Sequence, residues 1–308
     1  MRLGLDIGGT KIDAVALDDD SAVLARVRVA TGFGPDAVLR NAQSAALQAA
    51  EAAGGSASSL GSVGIGIPGV VDAEAGVVRH AVNLGLEELA LGGILAERLG
   101  APVRVENDVN AASLGAYHLL GLAGSMAYLN LGTGVAAGFV NDGAVWRGAR
   151  GTAGEIGHIP IDPAGIRCAC GQVGCLETVA GGGWVAHKWG GDAPLPVLEV
   201  FDRADAGDER AVALRAELIG GAAAGVRILI LTGDVETVVI GGGISNLGDR
   251  LAEPVRASLD ELARGSQFLG SLELSSRVRL VPAGEPVAAV GAALSGPRQN
   301  TKEPSWRS

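Results

Sequence analysis

The sequence predicts an α/β protein in two lobes, on three observations. A run of strand, glycine turn, strand, tight turn and strand starts at Arg2 and starts again at Met126. Each copy is followed by alternating helical and strand segments, which favour parallel strands joined by crossover helices beside an antiparallel hairpin. The 308 residues are 48% hydrophobic but only 3% aromatic, with 49 glycines. The core is therefore built from Ala, Val, Leu and Ile, and the connections are tight. Two such halves predict a ligand cleft between them.

In the first half Arg2–Ile7 leads into the turn GGT, Lys11–Leu17 follows, DDDS reverses the chain and Ala22–Ala30 returns. Pro35 opens an Ala-rich helix to Ala53, stopped by Gly54 and Gly55, since proline fits a first helical turn and glycine ends one. Strand Val63–Ile67, a helix near Leu89–Leu99 and strand Val103–Glu106 come next. In that helix Leu91, Ile94, Leu95 and Leu99 share one face at helical spacing. In the second half Met126–Leu131 ends in GTG, Val135–Val140 follows, and NDG turns the chain into Ala144–Trp146. After a loop carrying every cysteine come helix Ala211–Leu231, strand Thr237–Ile240, a helix near Leu247–Ala263 and strand Val278–Val281. The lobes are placed at 1–112 and 113–285, and a helix near 286–296 is expected to complete the first. The polar tail Pro297–Ser308 is expected to be disordered.

A formal charge of -10 argues against a nucleic-acid binder, which needs clustered Lys and Arg for phosphate contacts. No apolar run approaches the roughly 20 residues that span a bilayer. The N-terminus enters a strand pattern without a basic segment and cleavage site. A cytoplasmic protein with no membrane partner is expected.

The loop 154–177 concentrates chemistry. Cys168, Cys170 and Cys175 follow His158 by ten, twelve and seventeen positions. Three thiolates and an imidazole make a closed tetrahedral zinc set, and Gly171 and Gly174 allow a tight wrap. A disulfide framework does not fit three cysteines within eight residues. The turn DIGGTK brings Asp6, Gly8, Gly9, Thr10 and Lys11 between two strands, and Gly132, Thr133 and Gly134 occupy the matching place in the second half. Backbone N–H groups at such glycines approach phosphate oxygens without a Cβ in the way, and Asp6 can hold Mg²⁺ directly or through water. Either turn alone also reads as a plain hairpin; paired, they fit a polyphosphate clasped from both sides. Gly241, Gly242 and Gly243 follow the apolar strand TVVI, where an adenine ring can lie beyond the strand ends. VENDVNAA sets Glu106, Asn107, Asp108 and Asn110 at another strand end. Asp108 can be read as a helix N-cap, or as a carboxylate that takes a proton from an attacking hydroxyl. Asn107 offers both donor and acceptor to a polyol.

Together these motifs resemble the ROK family (repressors, open reading frames and kinases), within the hexokinase–actin–Hsp70 superfamily. The matching pieces are DIGGTK at 6–11, GIGIPG at 64–69, NL at 83–84, ENDVNAA at 106–112, GTG at 132–134, GTAGEIGH at 151–158, CACGQVGCLE at 168–177 and VIGGG at 239–243. The resemblance implies a two-lobed actin/hexokinase-like fold (a ribonuclease H-like unit duplicated) and an ATP-dependent sugar kinase most like bacterial glucokinases. Asp108 matches the catalytic base; Asn83, Asn107, Glu155, His158 and Glu177 match sugar-binding positions. His158 would bind zinc with one ring nitrogen and a sugar hydroxyl with the other. The family usually forms dimers or tetramers. Val82, the AAG at 136–138, Ala116 and Gly181–Gly183 depart from the common pattern.

Three rival readings fit the sequence less well. A repressor carries a helix-turn-helix before the first glycine turn, which here begins at Asp6. A non-catalytic sugar sensor would have no need of Asp108, and polyphosphate users usually lack the cysteine cluster. Glucose, N-acetylglucosamine, N-acetylmannosamine, mannose and fructose all suit the matching polar residues. The nucleotide turns are expected to stand independently of the zinc loop.

Overall fold

A computed structural model describes residues 1–191 and 193–297. The expected disordered tail therefore lies outside the described residues, apart from Pro297. The chain divides into two compact units, one of 1–118 with the stretch from 286 onward, the other of 119–285. The boundary falls at the end of the helix Asp108–Leu119, not at 112 as expected, because that helix continues past Ala112.

The first unit contains β1 (Arg2–Ile7), β2 (Lys11–Leu17), β3 (Val23–Ala30), α1 (Pro35–Ala52), β4 (Ser62–Ile67), β5 (Val70–Asp72), β6 (Val77–Ala81), β7 (Leu86–Leu89), α2 (Leu91–Leu99), β8 (Val103–Asn107) and α3 (Asp108–Leu119). The second contains β9 (Ser125–Leu131), β10 (Val135–Asn141), β11 (Ala144–Trp146), α4 (Glu177–Ala180), α5 (Gly182–Trp189), α6 (Pro196–Asp205), α7 (Glu209–Gly233), β12 (Thr237–Gly241), α8 (Asp249–Arg264), α9 (Gln267–Gly270) and β13 (Val278–Leu280). Helix α10 (Val287–Ser295) returns to the first unit.

Among the described residues the two main sheets have the orders β3-β2-β1-β4-β8 and β11-β10-β9-β12-β13. In each, an antiparallel hairpin triplet is extended by two parallel strands, so one topology occurs twice. This is the actin/hexokinase-like fold. A smaller antiparallel sheet β5-β6-β7 was not anticipated. Its strands are three to five residues long, too short for alternation to register. The helix expected from Leu89 starts at Leu91, because Leu86–Leu89 is strand β7.

The aliphatic core permits unusually close approach. Helix α10 lies on β1 and β4 where Gly4 and Gly64 stand, and a Cβ at Gly64 would overlap the carbonyl of Ala292. Gly291 likewise faces the Ala111 carbonyl of α3. Seating α10 there depends on side chains being absent, since interiors leave little slack.

Candidate active site

In the first unit the polar groups gather at one end of the sheet. Register sets Asp6 on β1 opposite Asp13 on β2, and Asp13 opposite Arg28 on β3; Asp6 also pairs with Gly66, and Gly66 with Glu106. Cross-strand partners share a face, so a charged row crosses the sheet. Arg28 donates from Nε and Nη2 to both Asp13 oxygens at 2.9 Å. Burial alone would raise the Asp13 carboxyl, but the Arg28 hydrogen bonds and the charges of Arg26 and Arg28 hold it below its ordinary value. Asp6 goes the other way. Burial first, then the negative charges of Asp108 and Asp13, push it up to about 7, against the pull of Lys11 and Arg28. Two carboxylates that raise each other's cost of ionisation are a natural seat for a divalent cation.

The first glycine turn closes by Gly8 N–H on Lys11 O at 3.0 Å, and Thr31 Oγ1 donates to Gly8 O at 2.7 Å. Lys11, Gly9 and Thr10 are exposed. Asn83, exposed in the short turn Val82–Leu84, has its Cβ within 3.5 Å of where a Gly9 side chain would begin. The turn and one expected sugar position are thus neighbours.

At the end of β8 the two readings of Asp108 separate. The cap is Asn107: its Oδ1 accepts the N–H groups of Val109 and Asn110 at 3.0 and 3.2 Å, the bonds an N-cap makes. Asp108 is the half-buried first residue of α3; its Oδ1 shares the Val109 N–H at 3.0 Å, while the Asn110 N–H goes to Asn107. Asn107 therefore has its oxygen committed to the helix, with Nδ2 only 3.5 Å from Gly69 O. Glu106, 2% exposed, accepts from Asn107 N–H and Asn110 Nδ2, both at 3.1 Å. It supports the turn from below. Sequence reading named Glu106 and Asn110 without a role; their four-residue spacing into a helix was the available signal.

In the second unit β9 and β12 run parallel, with Asn130 opposite Gly241, so the turns after them share one sheet end. Gly242, at φ 82°, approaches the carbonyl of Leu131. Turn Gly132–Gly134 is held by three groups from α4 and α5. Gly182 N–H and Gly183 N–H donate to the carbonyls of Gly132 and Thr133, each at 2.8 Å, and Glu177 Oε2 accepts from Val135 N–H at 3.1 Å. A Cβ on Gly182 would stand 2.8 Å from the Gly132 carbonyl, so glycine lets α5 come this close to the turn.

Glu155 and His158 flank the one-turn helix Ile156–His158, which lies across β10. Side chains on Gly154 and Gly157 would overlap the Ala137 and Val135 carbonyls. Glu155 is exposed and His158 half-buried. His158, Cys168, Cys170 and Cys175 converge, with their ligand atoms all within 4.8 Å of one another. Cys170 and Cys175 sulfurs are 3.6 Å apart, and His158 Nδ1 is 3.9 Å from Cys168 Sγ. Tetrahedral zinc with bonds of roughly 2.0–2.3 Å calls for ligand separations of about 3.6–3.8 Å. The donor set suits zinc, and these two separations lie close to that range. Gly171 at φ 95° and Gly174 at φ 72° supply the left-handed turns of the loop. The Gln172 hydrogen bonds draw the Cys170 thiol down to about 6, while burial pushes Cys175 up to about 12; a cation holding both would require both as thiolates.

One expectation is corrected here. The glycine turn 132–134, expected to stand apart from the cysteine loop, is joined to it by Glu177. Cys175 O accepts from Thr178 N–H at 2.9 Å and Thr178 Oγ1 at 2.7 Å, so the last thiolate position also fixes the start of α4. Glu177, expected at the sugar, has one oxygen on the glycine turn.

The ROK family profile matches residues 2–294. Glucokinase of Halalkalibacterium halodurans is 32% identical over 292 residues, covering 86% of this chain and 88% of that protein. N-acetylmannosamine kinase of Citrobacter koseri is 33% identical over 266 residues, covering 82% and 86%. Among solved structures, a ROK family glucokinase from Streptomyces griseus in complex with glucose and AMPPNP superposes with a TM-score of 0.76 at 29% identity, covering 95% of this chain and 97% of that one. The chain belongs to the ROK family. Among the described residues no helix is long and apolar enough to cross a membrane.

Proposed function

We propose that this protein is an ATP-dependent hexose kinase that converts glucose to glucose 6-phosphate, with Asp108 as general base. The observation that carries the reading is the division of labour at the start of α3. Asn107 caps the helix, while Asp108 gives one oxygen to the Val109 N–H and follows the strand end whose Glu106 shares a sheet row with Asp6. Its charge is among the causes that raise Asp6. Asp108 takes the proton of the sugar 6-hydroxyl as that oxygen attacks the γ-phosphorus, and ADP leaves. Asn83, Asn107, Glu155, His158 and Glu177 are assigned to the sugar hydroxyls. Gly8, Gly9, Thr10, Lys11, Gly132, Thr133 and Gly134 are assigned to the phosphates, and Gly241–Gly243 to the adenosine. A Mg²⁺ ion held by Asp6 would neutralise charge on the phosphates. Zinc on His158, Cys168, Cys170 and Cys175 would be structural, since four protein ligands leave no open position; with Nδ1 facing the cluster, Nε2 remains for the sugar.

Glucose is favoured because relatives named glucokinase include both a sequence match over most of the chain and a structure holding glucose with AMPPNP. N-acetylmannosamine is the second reading, supported by the similarly matched kinase of that name. Coupled ADP-release assays with ATP across glucose, mannose, fructose, N-acetylglucosamine and N-acetylmannosamine test both. Highest kcat/KM on glucose is expected. A higher value on N-acetylmannosamine would transfer the assignment, and no turnover on any sugar would end it.

A further inference from the structure

The second glycine turn has a support that the kinase reading does not assign. Its backbone is gripped on one side by Gly182 and Gly183, and on the other by the carboxylate of Glu177. Glu177 Oε2 stands where a side chain on Gly134 would begin, so carboxylate and turn touch directly as well as through the Val135 N–H. Among the described residues Oε1 of the same carboxylate accepts no hydrogen bond. Glu177 itself is half-buried and follows Cys175 by two residues, on a helix whose first turn is bonded to the Cys175 carbonyl. A charged acceptor on a backbone donor is among the stronger hydrogen bonds, and the N–H it holds lies at the boundary between the turn and β10.

We infer that Glu177 is a positioning residue for the phosphate-binding turn 132–134, and that it transmits the state of the cysteine–histidine knot to nucleotide affinity. The inference rests on the nucleotide reading of that turn. Holding the turn in one conformation before ligand arrives lowers the ordering cost of binding. The knot holds α4, α4 holds Glu177, and Glu177 holds Val135. A sugar contact through Oε1 is compatible with this, because the two oxygens are separate acceptors.

Calorimetric titration of AMPPNP into the full metal-loaded chain, without sugar, tests the inference in the wild type, Glu177→Gln and Glu177→Ala. Glutamine retains a carbonyl oxygen for the Val135 N–H, whereas alanine retains nothing. Glu177→Ala is expected to bind AMPPNP about 10-fold more weakly and Glu177→Gln, which keeps an uncharged acceptor, about 3-fold more weakly, on the usual worth of charged and neutral hydrogen bonds. A residue serving the sugar alone would leave AMPPNP affinity unchanged in both variants, and that result would overturn the proposal. The second measurement is amide exchange at Val135, expected to be slow in the wild type and in Glu177→Gln. Exchange at the rate of an exposed loop amide would overturn it even if Glu177→Ala failed to fold. A wild-type chain that bound no AMPPNP would defeat the nucleotide reading instead, and Val135 exchange would still decide whether Glu177 holds the turn.

Discussion

Replacing Asp6 with asparagine is expected to stabilise the ligand-free protein above neutral pH while destroying its catalysis. Asp6 stands opposite Asp13 across β1 and β2, and burial together with Asp108 and Asp13 raises its carboxyl from 3.8 to about 7. A carboxyl with a raised folded-state pKa keeps a proton that the unfolded chain has released. Stability is therefore lost as pH climbs from about 4 to about 7, and is level above that window. The full shift corresponds to about 4 kcal/mol at roughly 1.4 kcal/mol per unit. Part of Asp6 meets solvent, and screening should reduce the effect to about 2 kcal/mol. Urea denaturation of wild type and Asp6→Asn between pH 4 and pH 8, without divalent cations, measures it. The two curves should approach each other at the acid end and separate by about 2 kcal/mol at the alkaline end, with the variant more stable. A variant no more stable than wild type at pH 8 would refute the argument, since Asp6 would then carry its charge at no cost. Retaining a carboxylate that destabilises the empty protein is reasonable where a cation later relieves it, as functional sites commonly trade stability for chemistry.

Asp108→Asn should lower kcat by roughly 10²–10⁴-fold with little change in sugar affinity; a variant retaining more than about a tenth of wild-type kcat would show that the base is elsewhere. Elemental analysis of protein purified without chelators should find stoichiometric zinc, and its absence would remove the metal reading. Cys170→Ser should weaken both sugar and AMPPNP binding, because Glu155 and His158 lose their anchor while Glu177 loosens its hold on Val135. Unchanged AMPPNP affinity in a variant that has lost its metal would show that the knot serves only the sugar side. Gly64→Ala should lower the melting midpoint, as the added Cβ would overlap the Ala292 carbonyl and overpacking costs about 1–3 kcal/mol; an unaltered midpoint would mean α10 can withdraw freely.

What could be read from the sequence follows the distance over which each feature is built. The knot lay open because its four donors fall within eighteen residues and its glycines serve turns that closes the loop on itself. The two hairpin triplets were equally plain, being local alternation broken by GGT, DDDS, GTG and NDG. The Asp6–Asp13–Arg28 row was hidden, since it exists only once strand register is known, and a slip of one residue would turn Asp13 to the opposite face. The cap at Asn107 was hidden for a narrower reason. ENDVN holds several residues able to cap a helix, and one-residue differences at a helix start are settled by geometry. Glu177 is the clearest case. Its partner is a backbone N–H 42 residues earlier, and a backbone donor leaves no mark in a sequence. The only trace of that contact is the lack of bulk around it, in Gly134, Gly181, Gly182 and Gly183. These glycines record how closely α4 and α5 approach the turn 132–134, and under the function proposed above this closeness lets one carboxylate couple the knot to the phosphates.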